Sequence, residues 1–441
     1  EIPLRLVGSE MCIRDSVKDG NAPTGEVPPS TDNSNNGTEE TTPTDNDTQS
    51  TNASGNNTEN SSTSETTTGN TITVMEDVKK TDKADGTEGN DVKIVVDGVN
   101  VDTSTQTEAL PDTGSTGDKT IIKVGEGADV DLTVKDSNLT TGGHGIDIGV
   151  NLDEKDDNKG ANVDLTLDNT QINLTQNGKA GINVQDNSDV KLTLKGDDNL
   201  IDGSEAIKNV TKDGEKDISE DSVNVEGIRV GDGGASDGSG TSAGAETKLT
   251  ISGGVEKTET AETDTEETES PTGGSLTISD TTGGLVMADG SDVEITDGAD
   301  VTIEKTKTSG ATQAGRAVTQ HGDLTISGGS SLTINGVEDN AKQAPHTGIG
   351  IASWDNITVK DGSTLDISNT EAGIYGHQGS DASLTVEDST LNISDVKRGI
   401  VYEGEGVDKE GHVHKSAGDI TFDNAKVNID ADNIGITTGD N

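Results

Sequence analysis

The chain of 441 residues predicts an all-β fold: a solenoid of about ten short three-strand rungs preceded by a disordered tether. Three observations predict it. Apolar residues recur two apart in runs of three to five residues bounded by Gly, Asp, Ser and Asn, which is the pattern of strands with one buried face. The runs come in threes, and the trio repeats. Finally, hydrophobic residues make up only 27% of the chain and aromatics 1%. A compact globular core leans on aromatic area, whereas a narrow coil can be filled by aliphatic ladders.

The trio is clearest from Ile357 to Ile436. One copy runs Ile357/Val359, Leu365/Ile367, Gly373-Ile374; the next Leu384/Val386, Leu391/Ile393, Gly399-Ile400-Val401; the third Ile420/Phe422, Val427/Ile429, Ile434/Ile436. Strands this short are not stable alone, but copies stacked at ~4.8 Å bury a continuous apolar column. On these motifs, with Leu324-Thr325-Ile326-Ser327-Gly328-Gly329 as a further example, the region from 90 to 441 resembles bacterial surface proteins of the right-handed parallel β-helix class, the pectate-lyase-like superfold. The likeness is nearest to non-catalytic carbohydrate-binding and adhesin-like members, and it speaks for architecture more than activity.

In chain order, residues 1–16 (EIPLRLVGSEMCIRDS) share nothing with the rest of the chain and look like a translated sequencing adapter, so no fold expectation rests on them. Residues 17–70, rich in Thr, Asn, Ser and Glu, cannot bury enough apolar surface to offset backbone entropy and are expected to be a disordered linker. Residues 71–124 carry strand-like pieces (Ile72/Val74, Val92/Ile94/Val96, Val99/Val101, Ile121/Ile122/Val124) and are expected to form an N-terminal cap with an irregular first rung. Residues 125–441 are expected to be the β-helix, truncated at its C-terminus.

First strands begin at Leu132, Leu165, Leu192, Leu249, Val293, Leu324, Ile357, Leu384 and Ile420, with second strands at Leu139, Ile172, Leu200, Val301, Leu332, Leu365, Leu391 and Val427. The spacing between them is 7 or 8 residues except after Leu249, where a Thr/Glu-rich insertion delays the second strand to Leu276. Insertions elsewhere (209–221, 231–246, 336–346, 403–416) fall on the other two corners. Stacking fixes one turn and tolerates loops where they leave the coil undisturbed, and binding is expected on the loop-bearing faces.

A net charge of −52 repels nucleic acid and anionic membrane surfaces. The single cysteine, Cys12, lies within residues 1–16, so the rungs hold no thiolate or disulfide. No apolar run approaches the ~18 residues a membrane helix needs.

The sequence offers two candidate sites. The constant turn repeats Asp before a small residue, as at Asp361-Gly362, Asp388-Ser389 and Asp423-Asn424. Stacking would line up Asp361, Asp388 and Asp423 in a file that suits calcium, a hard cation wanting several oxygens; equally, Asp serves there simply as a turn former. No cofactor is required. The second site is aromatic: Trp354, Tyr375 and Tyr402 fall near the third strands of consecutive rungs, with His377 beside Tyr375. Amphipathic rings so placed would stack on sugars, or else cover rung edges.

Other signals are weaker. Leu110-Pro111-Asp112-Thr113-Gly114 matches a sortase sorting motif but runs into Ser115-Thr116-Gly117-Asp118 without an apolar span or basic tail. The acidic segment from Asp153 to Gly160 fails the calcium-loop pattern at Lys155. Arg229, Arg316 and Arg398 lie near third strands without the acidic cluster a polysaccharide lyase needs, and His144, His321, His346, His412 and His414 read as scattered. The expected function is therefore non-catalytic: adhesion or carbohydrate binding outside a bacterial cell or at its surface, the partner a polysaccharide or a host or cell-wall glycan. A bare stalk or spacer is the alternative, and a lyase or hydrolase of the same superfold a further one.

Overall fold

The computed structural model describes residues 10–14, 67–68, 72–74, 92–105, 119–152, 159–210, 223–231, 246–254, 273–307, 315–337, 348–377, 380, 382–404, 406–407, 413–414 and 418–439. The expected tether (apart from Thr67–Thr68), the sorting-like motif, most of the acidic segment after Asp153, most of the insertions, His346 and His412 lie outside these residues.

The chain winds as a parallel β-solenoid, each rung giving one strand to each of three stacks. The first strands form an eleven-stranded parallel sheet running from Glu10–Arg14 and Lys93–Asp97 through Asp129–Lys135 to Leu384–Glu387 and Ile420–Asp423. Second and third strands stack alongside in the same order. Register explains why the apolar pairs repeat. In the first sheet Ile94, Leu132, Leu165, Leu192, Ile251, Ile295, Ile326, Val359 and Val386 stand opposite one another from rung to rung, each at most 2% exposed. Every such side chain taken from water contributes about 1.5–3 kcal/mol, so the column, continuous with those of the other two stacks, holds strands that could not stand singly.

Three details differ from the sequence reading. Glu10–Arg14, within the segment set aside, pairs in parallel with Lys93–Asp97, because a rung leaves a row of unpaired backbone groups that any extended segment can satisfy. The first rung within 71–124 is more regular than expected: Lys93–Asp97, Asn100–Asp102 and Ile122–Gly125 pair with the three strands of the following rung. Inside the coil at Asn199-Leu200-Ile201 it is Asn199 and Ile201 that point inward, at 2% and 0% exposure, not Leu200. Buried Asn199 is fully employed. Its Oδ1 accepts from Thr170 N at 3.0 Å, and its Nδ2 donates to the Lys195 and Ser275 carbonyls at 2.8 and 2.9 Å. Leu192 likewise stands opposite Ile251, with Leu249 opposite Val190.

The corners follow from backbone chemistry. Between first and second strands Asp136, Asn169, Asp361, Asp388 and Asn424 hold φ between 48° and 59°, the left-handed region that Asp and Asn tolerate best after Gly. Where a serine follows, at Ser137 and Ser389, it is buried and accepts a neighbouring rung's N–H, Val99 N to Ser137 Oγ at 3.2 Å and Ser363 N to Ser389 Oγ at 3.1 Å. In later rungs the second corner shrinks to one left-handed residue, Asn369 or Asp395, so Thr364–Gly376 and Thr390–Glu403 pass unbroken from second to third stack. The Gly-Ile repeat also has a cause. A Cβ at Gly350 or Gly373 would fall 2.5 or 2.7 Å from the carbonyl oxygen of the matching glycine one rung on.

Candidate functional site

The outer face of the third stack differs from the other exteriors. Along Asp129–Lys135 buried and half-exposed residues alternate, as expected of a solvated outer face. Along Ile349–Ser353 every residue is buried. Ile349, Ala352, Ala372, Tyr375 and Val401 form a second apolar cluster outside the coil, with Trp354 packed against it.

At the rim of this cluster lies an aromatic ladder. Val318, Ile351 and Ile374 point inward in mutual register, and three residues beyond each stands a ring: His321, Trp354, His377. Backbone bonds hold the three at equal height, Trp354 N to the Gln320 carbonyl at 2.9 Å and His377 N to the Ser353 carbonyl at 3.0 Å. Trp354 stacks on His321 with centroids 4.1 Å apart and planes 15° off parallel, and on His377 at 3.8 Å and 10°. His321 and His377 therefore lie against opposite faces of the indole. Tyr375 meets His377 edge-on at 4.7 Å, while the Arg316 guanidinium carbon lies 5.3 Å from the Trp354 ring centroid.

Charged groups frame the ladder. The buried Tyr375 hydroxyl donates to the Glu403 carboxylate, and burial, then that bond, push its pKa far above the ordinary tyrosine range. Glu371 takes Lys397 at 2.5 Å and Arg398 at 3.6 Å. His321 is held below the usual histidine value, first by burial and then by the Arg316 guanidinium, with Asp289 opposing. Among the described residues its buried Nε2 has no hydrogen-bond partner.

Of the residues singled out in the sequence, Trp354, Tyr375 and His377 come together. Tyr402 does not join them: it faces into the coil at 1% exposure, its ring lying over Gly376, where a Cβ would come within 2.8 Å of it. The reason is parity. Tyr375 follows inward Ile374 by one residue and Tyr402 follows inward Ile400 by two, so alternation sends them to opposite sides. Tyr402 is core, and its removal from water pushes its hydroxyl pKa up. His321, read as scattered, is the ladder's third member, and its equal offset from Val318 is the signal that would have found it. Of the rung arginines, Arg316 and Arg398 stand in one register column of the third stack and Arg229 in the column of Tyr375; Arg229 donates from Nε to buried Glu226.

Asp361, Asp388 and Asp423 do not stand in one file. Asp361 and Asp388 are exposed turn residues at φ 59° and 48°. Asp423 stands on its strand opposite Glu387, one position off that file. The third left-handed place belongs to Asn424, whose amide donates to Asp388 Oδ1. Among the described residues no group of three or more His, Cys, Asp or Glu is placed to hold a metal ion, and no helix is long and apolar enough to cross a membrane. Comparisons with protein-family models, curated proteins and solved structures give no match to this chain.

Proposed function

We propose that the chain is a non-catalytic extracellular or cell-surface protein, similar to the carbohydrate-binding and adhesin-like members of the pectate-lyase-like superfold, which contacts carbohydrate through the outer face of its third stack. One observation carries this reading. A chain with a single tryptophan, two tyrosines and a net charge of −52 gathers that tryptophan, two histidines and an arginine into one half-exposed patch beside the buried Tyr375. Ring edges carrying N–H groups, next to Arg316, suit hydroxyl-rich ligands, and rings are the common contact surface for sugars. Glycan-array binding of the full chain and of Trp354→Ala tests it. The expected result is retained folding with at least a tenfold loss on the glycans bound, the size expected of a central aromatic anchor; an unchanged array profile overturns it.

A second reading, a spacer that holds other parts away from the cell, is favoured by the same stack, because rings that cover one another serve rung cohesion without any ligand. Ten intervals of ~4.8 Å between the strands of the first sheet make a rod about 48 Å long. On this reading Trp354→Ala lowers stability and no glycan is bound by either form.

A further inference from the structure

We propose that His321 is a proton-operated cover in the His321–Trp354–His377 ladder: its neutral imidazole lies on one indole face, and protonation swings it off and opens that face of Trp354 for stacking. The proposal rests on the carbohydrate reading for its biological purpose but not for its mechanism.

The geometry sets the terms. Neutral rings 4.1 and 3.8 Å from the indole, 15° and 10° from parallel, are in favourable stacked contact. An imidazolium is also attracted to an indole face, but here the indole already has a cation beside it, Arg316 at 5.3 Å. Protonating His321 would place a second positive charge beside that ring. The His321 Nε2 is buried without a hydrogen-bond partner among the described residues, so a proton there would leave a charged donor unsolvated unless the ring moved out.

The surrounding groups give the direction. Arg316 from the same strand opposes a charge on His321, Asp289 from the preceding rung favours it, and burial, which opposes it, is the largest influence. Beside His377, Tyr375 is edge-on and stays protonated, and its hydroxyl already engages Glu403. Arg398 adds positive charge on that face and is paired with Glu371, which also holds Lys397. With the folded-state pKa of His321 below its unfolded value of about 6.5, the closed ladder is fully stable above that pH and loses stability as pH falls through that value toward the folded pKa.

Trp354 is the chain's single tryptophan, so its fluorescence reports this ladder alone. The test is a fluorescence titration of the full chain from pH 8 to 4.5, followed by circular dichroism, on wild type, His321→Asn, His377→Asn and the double variant. The expected result is a reversible transition with its midpoint below about 6.5, β-signal unchanged, kept in His377→Asn and lost in His321→Asn and in the double variant. A Trp354 emission that is flat over this range, or that changes only together with the β-signal, overturns the switch. Glycan binding is then read at both ends of the range, with at least tenfold tighter binding expected at the acid end. A clean titration without binding at either pH leaves the switch standing and removes the carbohydrate reading; binding that is equal at both ends of a clean titration removes the link between them.

Discussion

The outer faces of the first and third stacks are made by the same winding of the same chain, yet they are different surfaces. On the first, Thr133, Thr166 and Thr193 stand in register, half exposed, with Asp and Lys on either side; its strands are buried on one side only. On the third, the outer positions are buried as well. In early rungs they are charged and amide groups, where Asp147 accepts from Asn183 at 2.8 Å and Gln185 at 2.9 Å; in later rungs they are Ala352, Tyr375 and Val401. A parallel sheet covered on both faces loses its alternation, and an exterior without alternation is where a solenoid departs from pure repetition. The candidate site sits at that departure.

The hardest way to break the contrast is from inside. Gly373→Val would put branched carbon 2.7 Å from the Gly399 carbonyl oxygen and 2.8 Å from Ile393 Cγ2, contacts that only backbone displacement relieves. The expected cost is at least about 3 kcal/mol, read as lost amide-exchange protection in the rungs around Gly373, with the distant N-terminal rungs keeping theirs because solenoid stability is local. Uniform loss along the chain would mean that the rungs do not behave as a stack of neighbours.

A pair of exterior substitutions compares the two faces directly. Tyr375→Ala removes a side chain that is 1% exposed although it lies outside the coil, and is expected to cost about 3–5 kcal/mol, as large buried rings do. Thr385→Ala, at a half-exposed outer position of the first sheet, is expected to stay within about 0.5 kcal/mol. Local exchange protection in the two variants is the measurement. Equal costs would mean that the third stack's exterior is not a second core.

This contrast also marks what the sequence could and could not convey. Apolar pairs two apart fix the inward files, so the coil, its three strands per rung and its constant first corner were legible from Leu132 to Ile436. Where two adjacent residues are both apolar, as at Leu200-Ile201, alternation cannot choose between them, and an inward asparagine with all its hydrogen bonds made goes unseen. The ring ladder was half legible. Trp354, Tyr375 and His377 stood out because rings are so scarce, but whether a ring points in or out depends on its distance from the inward residue, which divides Tyr375 from Tyr402 and adds His321. The acidic file was misjudged for a similar reason: Asp361, Asp388 and Asp423 share a motif but not one structural position.

That last distinction gives the finest comparison, because it asks what an acid at the first corner contributes when nothing covers it. Asp388 is exposed, sits at φ 48° and accepts from the Asn424 amide. If its work is to hold the left-handed turn, Asn will replace it at a cost within about 0.5 kcal/mol, since Asn tolerates that conformation as well as Asp does. Ala, which lacks both that tolerance and the side-chain acceptor, will cost about 1–2 kcal/mol. Loss of one carboxylate from a chain of net charge −52 also slightly relieves self-repulsion, so lowering salt destabilises the Asn variant slightly less than wild type. Thermal midpoints of wild type, Asp388→Asn and Asp388→Ala with calcium and with chelator decide the matter. The turn role predicts the order wild type equal to Asn above Ala in both conditions. A calcium-dependent rise in the wild type that Asp388→Asn abolishes would instead make the corner a cation site, and the first stack's edge, not the third stack's face, the chemically specialised part of the molecule.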